Sequence, residues 1–486
     1  MIILAVLGFG SLAQAQTFNI MDYGAVKDTN KLSTVAINKA VEACYKAGGG
    51  QVLIPPGNYR SGTIVLKSNV ALYLERGAVL YASTDHKDFP RMPQPAYRSQ
   101  KDPGGWFALI YAEGASNIGI GGKGTIDGLG ARQMPRPELL GGDRDGRPRN
   151  ILFISCKKVS VTGVTMRNAG IWNQHYLDCE DVTINDIQVY NHSNRNNDAI
   201  DIDGCRRLVL SNSILDSDDD CITLKSTGTA ACEDIVIKGC IASSFCNAIK
   251  CGTESTGGFK NISIADCIVR PSVNNEPPHY GVRNGMTGIS LEIVDGGVMD
   301  GVNVNNILIE GTECPIFVRL ANRGRRHTET APEPLQGKMR NIQLSNIQAY
   351  NTGNFASSVT GIPGAMIENI SLHNIQVMNK GNVRPGEYLA STDKVKEDEK
   401  GYPQPTVWKN LPCSGFFIRH VKNITLSDIN LSSAAPDPRI PLAGVDIGRL
   451  DIHGFRTDKV DANALYQLEG VEEYHIEEKE RIQLKH

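Results

Sequence analysis

Cys156-Lys157-Lys158-Val159-Ser160-Val161, Cys179-Glu180-Asp181-Val182-Thr183-Ile184, Cys205-Arg206-Arg207-Leu208-Val209-Leu210 and Cys232-Glu233-Asp234-Ile235-Val236-Ile237 are one pattern written four times: a small apolar residue, two polar residues, then apolar, x, apolar. Downstream the cysteine gives way to other apolar residues, at Phe259-Lys260-Asn261-Ile262, Met299-Asp300-Gly301-Val302, Met339-Arg340-Asn341-Ile342, Ile367-Glu368-Asn369-Ile370 and Val421-Lys422-Asn423-Ile424. Upstream it survives less strictly at Lys67-Ser68-Asn69-Val70 and Ala115-Ser116-Asn117-Ile118. Self-similarity at a fixed period marks a repeat architecture, here about eleven coils.

The central repeats are 23, 26 and 27 residues apart. That is too short for a crossover helix between parallel strands, yet long enough for three short strands and three turns. Alternation of apolar residues puts every second side chain inside. The reading is a solenoid of parallel β-strands in which each coil stacks on the next at about 4.8 Å and each inward residue lies over its equivalents. Cys156, Cys179, Cys205 and Cys232 then fill one column as small apolar residues, and most of the 12 cysteines belong to the core.

Composition agrees. A chain of 486 residues with 41% hydrophobic and 21% charged residues is neither disordered nor short of core. A formal charge of −3 excludes a basic nucleic-acid surface, and no apolar run is long enough to span a bilayer. Forty-nine glycines and only 6% aromatic residues suit a turn-rich β protein. Met1 to Ala15 is apolar and ends in Ala13-Gln14-Ala15, the spacing of a signal-peptidase site, so export to the periplasm or the medium is expected, with residues 16–486 as a single domain. From Ser33, a helical pattern with Ile37, Ala40, Val41 and Cys44 on one face stops at Gly48-Gly49-Gly50; it is expected to cap the first coil. The charged stretch from about Asp458 to His486 lacks the repeat and is expected to cover the other end, which makes a monomer the expected state. Long intervals near 86–112, 128–149, 271–288, 322–337 and 380–415 are loops of the size that carries function.

Aligning two coils by their apolar positions lays Asn197-Asp198 against Asp219-Asp220, with Asp201, Asp216 and Asp218 nearby. Like charges so close cannot all ionise at no cost. One carboxyl is driven up while another stays low, as a glycosidase needs for an acid and a base. The run Asp216-Ser217-Asp218-Asp219-Asp220 also reads as an oxygen-rich Ca²⁺ loop.

These residues resemble glycoside hydrolase family 28, the polygalacturonase-like group of right-handed parallel β-helices, from about Phe18 to about Ser433. Asn196-Asn197-Asp198 is similar to the family's Asn-Thr-Asp motif, and Asp219-Asp220-Cys221-Ile222-Thr223-Leu224-Lys225-Ser226 to its Asp-Asp-Cys-Ile-x-x-Lys-Ser motif. The resemblance implies that Asp219 is the general acid and that Asp198 and Asp220 activate the water, giving inversion without a metal or other cofactor. It implies that Trp172 and His175 shape a sugar subsite, that Asn196 and Lys225 line the site, and that a pectic polysaccharide or oligosaccharide is the substrate. A β-eliminating lyase, which needs Ca²⁺ and a basic Arg or Lys, and a non-catalytic carbohydrate-binding β-helix are the competing classes.

Two departures bear on the substrate. The family's Gly-His-Gly corresponds to Phe245-Cys246-Asn247, and its carboxylate-binding Arg-Ile-Lys to Ser290-Leu291-Glu292. Alternation places Lys250 outward in the column of Thr223 and Ser290, where it is expected to hold a sugar carboxylate in place of the lost pair. Glu292 as the mark of a neutral sugar, and a plain Lys250–Glu292 ion pair, are the alternatives. Arg195, Arg283 and Arg319 are further candidates for that carboxylate.

Overall fold

The computed structural model describes residues 16–92, 107–133, 146–279, 281–328, 330–408, 410–458, 464–477 and 482–485. The expected signal segment, most of the loop near 128–149 and the middle of that near 86–112 lie outside them.

The chain is a parallel β-helix. Strands Lys157–Thr162, Glu180–Asn185, Arg206–Ser211, Cys232–Lys238, Phe259–Val269, Val298–Glu310, Lys338–Thr352 and Glu368–Asn379 pair in sequence, each parallel to the next. Their registers match Val159, Val182, Leu208, Ile235, Ile262, Val302, Ile342 and Ile370, so the repeat read from the sequence is the register of the ladder. These residues are buried and stack into one continuous core.

Backbone geometry explains the polar pair in each repeat. Its second member has φ between 52° and 64° at Asn69, Asn117, Lys158, Asp181, Arg207, Asp234, Asn261, Asn341 and Asn369, and Gly301 takes the same place with φ 74°. Asn, Asp and Gly tolerate this left-handed corner best. The corner residues also bond along the stack: Asn341 donates to Asp300 (2.7 Å), Asn369 to Asn341 (2.9 Å) and Asn423 to Asn369 (2.7 Å).

The ladder is longer than the eleven coils expected. Thr17–Asn19 and Gly50–Ile54 extend it at one end, and Ile440–His453 and Tyr466–Ile476 at the other. The C-terminal stretch is therefore a further rung and not an irregular cap. Tyr466 and Leu468 point into the core while Glu472 and Glu473 lie outside, and this dense charge on one face hid the alternation. Helix Thr34–Lys46 buries Ala36, Ile37, Ala40, Val41 and Cys44 against the first coil. Ser33 precedes it, but its hydroxyl bonds Val26 instead of capping the helix. All twelve cysteines are free thiols, eleven of them buried. Among the described residues no helix is long and apolar enough to cross a membrane.

Replacing Asn341 by Val should destabilise the protein by about 1–2 kcal/mol more than replacing it by Gly, because only the β-branched residue is strained in the left-handed corner. Urea unfolding of the two variants checks this; equal stabilities would contradict it.

Candidate active site

Asp198 lies just ahead of strand Ile200–Asp203, Asp219 and Asp220 just ahead of Ile222–Ser226, and Asn247 opens Asn247–Ser255. Pairing of Ile200 with Ile222 and of Ile222 with Ile249 stacks Asp198, Asp220 and Asn247 on three consecutive coils. The backbone is fixed on both sides. Asn197 donates to the carbonyls of Ala169 (3.1 Å) and Ile171 (2.8 Å), while Ser217 (2.9 Å) and Ser244 (2.5 Å) donate to the carbonyl of Asp219.

The three carboxylates have different surroundings. Asp220 accepts from Asn247 Nδ2 at 2.5 Å and from Lys250 Nζ at 3.0 Å; Thr287 donates to Asn247 Oδ1 at 2.6 Å and so sets which way the amide points. Asp219 accepts from the backbone N–H of Asp220 at 3.0 Å and from Asn196 Nδ2 at 3.4 Å. Burial, reinforced by the Asp220 charge and moderated by Lys250 and Lys225, raises Asp219 to about 6. Asp198 leaves Oδ1 buried without a hydrogen bond, and its nearest cation, Lys225, is 3.7 Å from Oδ2. Burial and the charges of Asp201 and Asp219 hold it well above the usual range.

Lys225 binds the floor of the site together. It lies 3.4 Å from Asp201, 3.5 Å from Glu254 and 4.6 Å from the centre of the Trp172 ring, which Arg149 also flanks at 4.8 Å. Arg325 closes the network from a later coil, 2.9 Å from Glu254 and bonded to Asp295 and Thr253. Burial opposes ionisation of Glu254, but Lys225 and Arg325 outweigh it and hold that carboxyl far below its ordinary value. Burial carries Asp201 the other way, to about 8, and Glu292 to about 7.

Several sequence expectations change here. His175 is fully buried, bonded to Asp203 at 3.1 Å and set edge-on to Trp172; it supports the floor and has no surface for a sugar. Trp172 is 4% exposed, its ring taken up by the two cations. Ser290 and Glu292 are buried and bonded to each other at 2.6 Å, because they stand in register with Phe317 and Arg319 under a covering segment. Lys250 is outward and in register with Thr223 and Ser290, as alternation required, but it is 1% exposed and pairs with Asp220, not Glu292. Arg319 and Arg283 bond backbone carbonyls, of Gly361 and Glu397 and of Asn274, Asn275 and Glu276 respectively, and Arg195 is exposed. The acidic run divides. Asp216 accepts from His192 (2.8 Å) and Val273 N (2.9 Å), and Asp218 from His279 N, so both pin the loop near 271–288 instead of facing one cation with Asp220. Among the described residues no three His, Cys, Asp or Glu side chains converge as a metal site.

Residues from the loop near 380–415 were not legible as part of the site. Its segment packs Val395, Trp408 and Leu411 on Phe317 and Phe417, and it brings the Tyr402 hydroxyl to 3.4 Å from Lys250.

Three neighbouring carboxyls, two of them raised, on the outer face of a parallel β-helix are an arrangement suited to acid–base cleavage of a glycosidic bond. Residues 44–396 match the protein family described as Glycosyl hydrolases family 28, and the chain belongs to that family and is a glycoside hydrolase. It is 26% identical to a "Probable polygalacturonase" of Vitis vinifera over 381 residues, covering 74% of each chain. It is also 26% identical to an "Exo-poly-alpha-D-galacturonosidase" of Dickeya chrysanthemi, over 43% of this chain and 42% of that one. Among solved structures, the exopolygalacturonase of Thermotoga maritima superposes with a TM-score of 0.63 at 20% identity, covering 75% of this chain and 87% of the other.

The raised carboxyls have a thermodynamic consequence. Asp201 at about 8 and Glu292 at about 7 keep protons in the folded state that the unfolded chain has lost above pH 4–5, so stability should fall as pH rises from about 4 to about 8. Replacing Asp201 by Asn should flatten that slope in urea titrations at several pH values; an unchanged slope would contradict the assignment.

Proposed function

We propose that the enzyme removes α-linked galacturonic acid from pectic chains by a single inverting displacement. The observation that carries this is the division of labour among the aspartates. Asp219, raised to about 6, retains a proton to give the glycosidic oxygen, and Asp220, paired with Lys250, activates the water; Asp198, on the adjacent coil and itself held well above the usual carboxylate range, orients that water. Asn196 donates directly to Asp219. Lys250 and Asn247 position Asp220. The names of the relatives, which include both exo- and endo-polygalacturonases, support galacturonan as the substrate.

The loop near 380–415 supports an exo mode. The outward column that holds Asp201, Thr223, Lys250 and Ser290 continues as Phe317, Ser358, Phe417 and Ala443, and Trp408 and Leu411 cover its apolar part. That covering begins at Phe317, three coils beyond Asp220, and is consistent with a short binding tract. Action outside the cell, after removal of Met1 to Ala15, agrees with a polymeric substrate.

Mass spectrometry of products from homogalacturonan oligosaccharides should show saturated galacturonate released one unit at a time, indifferent to chelator, with the β-anomer appearing first by NMR. The Asp219→Asn variant should lose roughly 10²–10⁴-fold in kcat/KM. Because the acid must be protonated, kcat/KM of the wild type should fall as pH rises through about 6. Internal fragments would overturn the exo mode, and unsaturated products the hydrolytic one.

A further inference from the structure

Two of the arginines on the later coils beside the groove are consumed by structure. Arg319 holds Thr360, Gly361 and the backbone of Glu397, and Arg325 holds Glu254, Asp295 and Thr253. Arg323, between them in sequence and just past the end of strand Cys314–Leu320, makes no hydrogen bond or ion pair among the described residues, and its Nη1 is buried without a partner there. The ring of Tyr402 lies 5.1 Å from its guanidinium carbon. A cation–π contact at a half-open site is a small return for burying a guanidinium nitrogen away from both water and an acceptor. Burial and the like charge of Arg325 lower its affinity for its proton, the condition of a cation awaiting an anion.

Tyr402 gives the position meaning. Its side chain is 47% exposed, yet its hydroxyl meets the buried Lys250, which in turn holds Asp220. The ring is thus an open aromatic surface tethered through one lysine to the catalytic carboxylates, with an unpaired guanidinium beside it. Apolar ring plus planar fork of donors is the recognition chemistry of a sugar that carries a carboxylate.

We propose that Arg323 and Tyr402 form an acid-sugar clamp, in which the ring of a uronic acid residue lies on Tyr402 and its carboxylate pairs with Arg323. The inference rests on the galacturonan reading above and assigns to Arg323 the anion-binding duty that the sequence suggested for Lys250. Lys250 instead serves as a positioning residue, joining the clamp to Asp220. The clamp belongs to the later-coil side of the aspartates, where the covering loop ends the groove.

The test uses the full chain with Asp219→Asn to hold substrate uncleaved, and calorimetric binding of a galacturonate oligosaccharide and its methyl ester. Adding Arg323→Met should weaken the acid about 10–100-fold, the loss of one charge-assisted pair, and leave the ester unchanged. Arg323→Lys should recover part of the loss, and Tyr402→Leu should weaken acid and ester alike. With Asp219 intact, Arg323→Met should act mainly on KM, and melting curves confirm that the variants fold. Unchanged acid binding, or an equal loss for acid and ester, would overturn the clamp while the hydrolase reading stands. Neither binding nor cleavage of any galacturonan by the parent proteins would overturn that reading, and the clamp with it.

Discussion

Everything in this molecule depends on parallel, in-register stacking. A residue on one coil lies over its counterpart on the next, so whatever chemistry a position has is multiplied down a column. Inside, this is favourable, because Val, Ile, Leu and Cys columns remove apolar surface from water and the strands bond parallel to the coil above and below. At the corners it turns a strained φ into a recurring one, filled by Asn, Asp or Gly at most coils.

On the outer face of the central coils the same rule brings like charges together. Asp198, Asp201, Asp219 and Asp220 cannot all be ionised in a buried cluster, and the fold answers with two buried lysines that divide the group. Lys225 faces Asp198, Asp201 and Glu254, and Lys250 faces Asp220. What remains is a carboxyl, Asp219, with neutral donors at its oxygens and a raised proton affinity. Where the family carries a histidine, the donors at the Asp219 carboxyl are Asn196 and a backbone N–H.

Beyond the aspartates the outward column turns from polar to aromatic at Phe317 and Phe417, and the loop carrying Trp408 covers it. The same segment delivers Tyr402 to Lys250. Burial there also explains why Ser290 and Glu292 cannot meet a sugar, whatever their alignment suggests.

The sequence alone determined the repeat, its register, the stacking of Asp198 on Asp220 and the outward direction of Lys250, because in a solenoid neighbours in space are neighbours at a fixed sequence period. It also marked the capping helix through the spacing of Ile37, Ala40, Val41 and Cys44. It missed the rungs beyond the last repeat, Ile440–His453 and Tyr466–Ile476, where the motif is lost. The partners of each charge were decided only in three dimensions. Whether Lys250 meets Asp220 or Glu292 turns on side-chain reach within one column, and the arrival of Tyr402 from 152 residues away turns on how an aperiodic loop packs. Periodicity fixes positions along the coil, but contacts between a loop and the coil have no period to read.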